Sequence, residues 1–182
     1  MSENRKISNE KGEEYKNETD EKKKEKLKEE LTELNTKVID YQKDIFKNHS
    51  DLFIGKMIGM SLDIELPEAP KDENGVIDDS SFLYNYNMAH FWDNTDLTNE
   101  DLIRTPAFHS RLAKYYSKQV MLQIPDSIVK YTDNLVNKTE GGSKLFQYIV
   151  HYVTNKYERS EIMGMDKVFV HMADTYYCPK EE

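Results

Sequence analysis

Apolar residues in the first third of the chain recur at alternating steps of four and three. This spacing places them along one stripe of a long amphipathic helix. Because the stripe lasts less than three heptads, packing against the chain's own body is favoured over an extended coiled coil. Pairing of the stripe with another chain stays an open alternative. The stripe residues are Leu27, Leu31, Leu34, Val38, Tyr41 and Ile45.

The segments around this helix complete the N-terminal part. Residues 1–20 are polar and have no apolar period, which predicts a disordered or frayed arm. Residues 48–51 interrupt the stripe, and Ser50 is a suitable N-cap for a short second helix ending near Met60. We therefore predict a helical hairpin over residues 21–60, with a long first helix.

The rest of the chain begins with an acidic segment and continues with repeated helix-start signals. Residues 61–79 contain two prolines and a glycine, which indicates a linker or a long surface loop. In residues 80–177, helical spacing of apolar residues follows each start signal, and no alternating run is long enough for a sheet. We predict an all-α fold in which helices of about 12 to 18 residues form a bundle or array of antiparallel neighbours. The start signals are Asp79 or Ser80, Thr105 before Pro106, Pro125, and Ser143.

Charge narrows the classes of partner. The 182 residues carry a net charge of −9. The first 48 residues hold 12 basic and 13 acidic side chains, so the remaining 134 hold 13 basic and 21 acidic ones. An acidic body repels phosphate backbones and anionic lipid surfaces, so we expect no nucleic-acid partner. No apolar run is long enough to span a bilayer and no export signal opens this chain, so we expect no membrane insertion.

The scattered reactive side chains do not form a catalytic, cofactor or metal site. The five histidines occur singly, without the spacing of a zinc site, so we expect no metal and no cofactor. Residues 70–81 resemble a calcium loop but lack its first and last carboxylates. The adjacent His109 and Ser110 lack a third group to orient them. Cys178 is the only cysteine, so a second thiol for a C-x-x-C redox site is missing.

Two clusters of aromatic and methionine residues stand out. One begins at His90, and the other begins at Ile162. Each is interpreted either as core filling at a helix end or as a docking surface, because Trp and Met are common where proteins contact partners. An enzyme or ligand-binding protein that uses the Tyr, His and Trp residues is a further alternative. The candidate interaction or core residues are His90, Phe91, Trp92, Asp93, Met163, Gly164, Met165 and His171.

A resemblance to a known family rests on four motifs of the second half. They are His90-Phe91-Trp92-Asp93-Asn94, Leu102-Ile103-Arg104-Thr105-Pro106, Pro125-Asp126-Ser127, and the run from Tyr157 to His171. Residues 79–177 thereby resemble a family of uncharacterised helical domains in Gram-negative envelope proteins. In that family the domain directly precedes a thioredoxin-like domain of the thiol-disulfide interchange type.

The resemblance implies a role without catalysis for this chain. Relatives carry an export or lipoprotein signal and a β-rich domain before this region, and a redox domain with C-x-x-C after it. The family's redox residues match no positions here. The resemblance therefore implies that residues 80–177 are a helical accessory domain, and that residues 178–182 are a tail leading toward an absent thioredoxin-like domain. It also implies a periplasmic or envelope location for the parent protein, with a fused redox domain or another protein as partner; it leaves the oligomeric state open.

Overall fold

The computed structural model describes residues 2–71, 73–75, 77 and 79–178, and for residues 2–5 it describes the backbone only. Within these residues the secondary structure is helical, and the only β-type pairing is an isolated bridge between Lys71 and Ile77. The predicted all-α class is therefore confirmed. The chain divides into an N-terminal unit, Met1–Leu62, and a C-terminal unit, Asp63–Glu182. This division falls inside the predicted linker.

The N-terminal unit consists of α1 (Ser2–Asn17), α2 (Glu21–His49) and α3 (Phe53–Gly59). The Asp20 side chain caps α2 by accepting hydrogen bonds from the backbone N–H groups of Lys22 at 3.0 Å and Lys23 at 3.4 Å. These bonds satisfy donors that the first turn of a helix leaves unpaired. Residues 2–17 are thus helical, where the sequence predicted a disordered or frayed arm; the mobility of this arm stays a prediction.

Helix α1 runs antiparallel to α2. Lys11 forms an ion pair with Glu30, and the Lys24 amine lies 5.1 Å from the centre of the Tyr15 ring. Later positions in α1 therefore meet earlier positions in α2. The predicted hairpin of residues 21–60 is not confirmed in detail, since α3 has only 7 residues and the helix that folds back along α2 is α1.

The corner between α2 and α3 differs from the predicted cap. Ser50 ends α2, and α3 begins after Leu52 without a side-chain cap, so the prediction that Ser50 caps the second helix is wrong. Gly55 explains how the two helices approach: a Cβ at this position would lie 1.9 Å from the carbonyl oxygen of His49. Only glycine fits this corner without a shift of the backbone.

Within its described residues, the C-terminal unit contains five α-helices, one 3₁₀ turn and one π-helical turn. Thr105 caps α5 by accepting a hydrogen bond from the backbone N–H of Phe108 at 3.4 Å, and Ser143 caps α7 in the same way through Phe146 at 3.1 Å. The predicted starts at Thr105, Pro125 and Ser143 are confirmed. Two of the helices, with 12 and 15 residues, have the predicted length, and the other three, with 9, 10 and 7 residues, are shorter. The helices are α4 (Phe82–His90), α5 (Pro106–Tyr115), α6 (Pro125–Val136), α7 (Lys144–Glu158) and α8 (Asp166–Met172), with a 3₁₀ turn at Glu100–Arg104 and a π-helical turn at Ala173–Tyr177.

The core of the C-terminal unit forms where the apolar faces of these helices meet. Helix α8 packs on both α6 and α7. The faces supply aliphatic and aromatic side chains that are almost completely removed from water, which is the main stabilising contribution to such a fold. The largest fully buried side chains are Leu102, Phe108, Leu112, Tyr115, Tyr116, Met121, Ile128, Leu135, Leu145, Ile149, Met165 and Met172.

Two further findings concern membrane-spanning helices and metal sites. Of the helices that the structure describes, none is both long enough and apolar enough to cross a bilayer. In the same described part of the chain, no three His, Cys, Asp or Glu side chains group so as to hold a metal ion.

Candidate interaction site

The motif at residues 90–93 is divided between core and surface. Phe91 and Trp92 lie at the end of α4 and are buried, with Trp92 only 3% exposed. The Trp92 ring centre lies 5.3 Å from that of Tyr115 and 6.0 Å from that of Phe108. The middle of the motif therefore fills the core, as the first of its two interpretations predicts.

The two ends of this motif face solvent. His90 Nδ1 lies 2.6 Å from a carboxylate oxygen of Asp93, and both side chains are partly exposed. The Tyr86 and His90 rings also stack with centres 4.2 Å apart. His90 and Asp93 thus close the end of α4 by a local polar contact.

A buried arginine lies beside the same aromatic residues. Arg111 donates a hydrogen bond from Nη2 to the carbonyl oxygen of Phe91. Its guanidinium lies 4.6 Å from the centre of the Phe91 ring and 6.0 Å from that of Trp92, which is cation–π geometry. Burial lowers the pKa of Arg111. Sequence reasoning missed this residue, although its place between Phe108 and Tyr115 on the apolar face of α5 was a usable signal.

The second cluster forms the turn between α7 and α8. Met163 is 98% exposed, whereas Met165 is 1% exposed. Gly164 between them has φ +85°, a conformation that glycine adopts without strain. The turn therefore anchors one methionine in the core and presents the other to solvent, so core filling applies to Met165, and docking through Met163 stays a prediction.

His171 lies on α8, away from both clusters, and contacts α6. Its Nε2 lies 2.9 Å from a carboxylate oxygen of Asp133 on α6, and the Tyr176 hydroxyl donates to the same oxygen at 2.7 Å. Burial, followed by the contact with Asp133, raises the pKa of Tyr176. These contacts tie α8 and the π-helical turn to α6, which is a structural use of His171.

A small cleft opens next to the exposed turn. It has a volume of about 280 Å³ and is bordered by the end of α5, the loop before α6, and the end of α7. Sequence reasoning did not identify it, because its lining comes from three separate segments. The lining residues are Tyr116, Ser117, Lys118, Gln123, Lys156, Tyr157, Ser160 and Ile162.

Exposed apolar side chains come from two of the loops that line this cleft. Leu122 and Ile124 flank Gln123, and Ile162 and Met163 follow Ser160; each of the four is at least 45% exposed. An ion pair of 2.5 Å between Lys167 and Asp126 joins the starts of α8 and α6 beside these loops. We refer to Leu122, Ile124, Ile162 and Met163 as the apolar rim.

Comparison with known protein families gives one match. Residues 12–181 match the model of a family described as a domain of unknown function, DUF5106. The chain belongs to the DUF5106 family. No curated protein and no solved structure matches the chain.

The DUF5106 match covers more of the chain than the resemblance drawn from the second half. It begins at residue 12, within α1, and so includes most of the N-terminal unit as well as residues 79–177. The DUF5106 match therefore treats the N-terminal helices and the C-terminal helical unit as parts of one family region. It assigns no role to the apolar rim or the cleft.

Proposed function

We propose that this chain is a non-catalytic helical accessory domain that positions a thioredoxin-like domain of an envelope protein, or presents protein partners to it. The observation that carries the proposal is the nearly complete exposure of Met163 on a turn whose next methionine, Met165, is anchored in the core. On the resemblance of residues 79–177, the proposal locates the parent protein in the periplasm or cell envelope.

The apolar rim has the chemistry of a protein-docking surface. Four aliphatic or thioether side chains face solvent on neighbouring loops, although exposed apolar residues are usually scattered. Methionine is flexible and polarisable, so it adapts to partners of different shape. Because the neighbouring Met165 is anchored in the core, we expect binding at this turn to remove less conformational entropy than binding at an unanchored loop.

The chain has one thiol, which is compatible with a role that leaves disulfide chemistry to another domain. Disulfide exchange passes through a mixed disulfide, which a second nearby thiol resolves. Cys178 is exposed and is the only cysteine of the chain. The proposal therefore assigns disulfide reduction to the thioredoxin-like domain and recognition to the helical unit.

The test of this proposal is a titration of the ¹⁵N-labelled chain with a purified thioredoxin-like domain, taken from a member of the envelope-protein family that residues 79–177 resemble. We expect amide shifts at residues 162–165, and we expect Met163→Glu to abolish them. Leu66→Glu is the matched control, because Leu66 is also an exposed apolar residue. Unchanged binding by Met163→Glu would contradict the role of the apolar rim.

A second assay examines the non-catalytic part of the proposal. In insulin reduction with dithiothreitol, we expect the chain and its Cys178→Ser variant to give the same rate. Turnover by the chain well above that of Cys178→Ser would overturn the assignment.

A second candidate function rests on a different observation. Helix α2 has 29 residues, and none of them is buried. The apolar stripe has β-branched residues at Val38 and Ile45 and Leu at 27 and 34, which suits helix pairing, so a free-standing interaction module that pairs with another chain through Leu27 to Ile45 is the alternative. Sedimentation equilibrium tests it: a dimer that Leu34→Lys dissociates, and that Lys37→Gln leaves intact, would favour this alternative.

A further inference from the structure

The cleft beside the apolar rim is lined by hydrogen-bond donors and has two cationic side chains. Lys118 and Lys156 are exposed at its edge, and neither forms an ion pair within the described part of the chain. The hydroxyl groups of Ser117 and Ser160 also line it. Two lysine side chains without an ion pair among the described residues thus line one cleft, in a unit whose charge is otherwise acidic.

Tyr157 adds a buried donor to the same lining. Its side chain is 3% exposed, and its hydroxyl has no hydrogen-bond partner among the described residues. Burial raises the pKa of Tyr157, so the hydroxyl keeps its proton and remains a donor. The hydroxyl oxygen is almost completely covered, so a ligand reaches it only when the lining of the cleft shifts. Because a buried polar group without a partner is unfavourable, an acceptor that reaches it, directly or through a water, gains that interaction.

The neighbouring Tyr116 provides an internal contrast. Its hydroxyl lies 2.9 Å from the hydroxyl of Thr132, so its hydrogen-bonding capacity is used inside the core. The Tyr116 and Tyr157 rings contact each other edge to face with centres 6.4 Å apart. Of these two adjacent phenols, only Tyr157 is left to serve a ligand.

We propose that this cleft binds the oxyanion group, a carboxylate or a phosphate, of a small ligand, with Lys118 and Lys156 supplying the charge and Tyr157 a hydrogen bond. The volume of about 280 Å³ is at the lower end of the range for ligand sites, so the ligand is small or only one group of it enters. Ile162 at the cleft offers a contact for a short apolar part of the ligand. The cleft shares Ile162 with the apolar rim, but this proposal does not rest on the proposed accessory function.

The test is an NMR titration of the full ¹⁵N-labelled chain with N-acetyl-leucine, with N-acetylglutamate and with inorganic phosphate, in separate arms. Sodium chloride at matched ionic strength controls for unspecific screening. We expect saturable shifts at the amides of Ser117, Lys118, Gln123 and Ser160 in at least one arm, with a Kd of about 1 mM or lower. The arm that responds identifies the carboxylate or the phosphate as the preferred group.

Substitutions of the lining residues test whether the amide shifts come from binding in this cleft. Exchanging both lysines (Lys118→Gln with Lys156→Gln) should raise Kd by about tenfold or more, whereas the exposed control Lys130→Gln should leave it unchanged. Tyr157→Phe should raise Kd by about threefold, and a well-dispersed spectrum will show that each variant is folded. Absence of saturable shifts in all arms, or binding that survives the double lysine exchange, would overturn the proposal.

Discussion

Helices α2 and α7 both have periodic apolar residues, but they differ in what they bury. Helix α2 has 29 residues and none of them is buried, whereas α7 has 15 residues and buries Leu145, Ile149, Val150, Val153 and Tyr157. Helix α2 has about one apolar residue in each turn, so its apolar stripe is narrow. Helix α7 has apolar residues at adjacent positions in several turns, so its apolar face is broader. Periodicity thus predicts a helix in both cases, but the width of the apolar face distinguishes the helix that belongs to a core.

The largest expected effect contrasts one aromatic residue from each unit. Trp92→Ala removes a buried indole, so we expect the free energy of unfolding to fall by about 3–5 kcal/mol. Tyr41 on α2 is 56% exposed, so Tyr41→Ala should change it by less than about 0.5 kcal/mol. Urea unfolding followed by circular dichroism measures both. Equal losses for the two variants would remove the distinction between the units.

Phe169→Ala gives an intermediate case for the same comparison. Phe169 is a large aromatic residue like Trp92, but its side chain is only half-buried on α8. We therefore expect a smaller loss of stability than for Trp92→Ala.

Alkaline pH should weaken the C-terminal unit next. Burial raises the pKa of Tyr116 and of Tyr157 above the ordinary tyrosine value, which is about 10. The pKa of each tyrosine is higher in the folded than in the unfolded state, so the folded state binds the phenol proton more tightly. The stability that depends on this protonation is fully present below pH about 10 and is lost as the pH rises toward the folded pKa. Each tyrosine contributes a slope of up to about 1.4 kcal/mol per pH unit. Fluorescence of the single tryptophan in urea titrations follows the loss, and a midpoint that stays constant to pH about 11 would contradict it.

A smaller effect separates the two adjacent phenols. Tyr116→Phe leaves Thr132 without its partner and should lower the free energy of unfolding by about 1 kcal/mol. Tyr157→Phe removes a hydroxyl without a partner among the described residues and should leave stability equal or slightly higher. Thermal melts of the two variants, run side by side, measure the difference. The reverse order would show that the Tyr157 hydroxyl has a stabilising partner.

The smallest effect concerns the ion pair between α1 and α2. Lys11→Gln removes the partner of Glu30 on a solvated surface, where such pairs contribute little. Amide hydrogen exchange in α1 should accelerate by no more than about twofold, with Lys6→Gln as the control within α1. A large acceleration would mean that this pair, and not apolar contact, holds α1 against α2.

The helical class and most helix starts of the C-terminal unit could be predicted because their signals are local. Thr105, Pro125 and Ser143 act within one turn of the helices they begin, so the sequence contains the whole interaction. The helix in the N-terminal arm was harder to predict from the sequence, because α1 is polar and has no periodic apolar residues. It contacts α2 through single side chains such as Lys11 and Tyr15.

The candidate site was only partly predictable for the same reason. Met163 and Trp92 attract attention by residue type, but whether each is buried depends on contacts between distant segments. The cleft brings together Lys118 and Lys156, which are 38 positions apart, and the burial of Arg111 depends on Phe91. Such pairings are set by tertiary packing and have no counterpart in local spacing.

The turn at Gly164 separates a residue that folding requires from one that folding leaves unconstrained. The left-handed backbone at Gly164 fixes the path of the chain, while the side chain at position 163 touches almost nothing in its own unit. Residue 163 can therefore change freely without loss of stability, and the loop tip can accept a label or a short inserted peptide. Under the proposed docking role, variation at this single position would follow a changing partner while the fold beneath it stays the same.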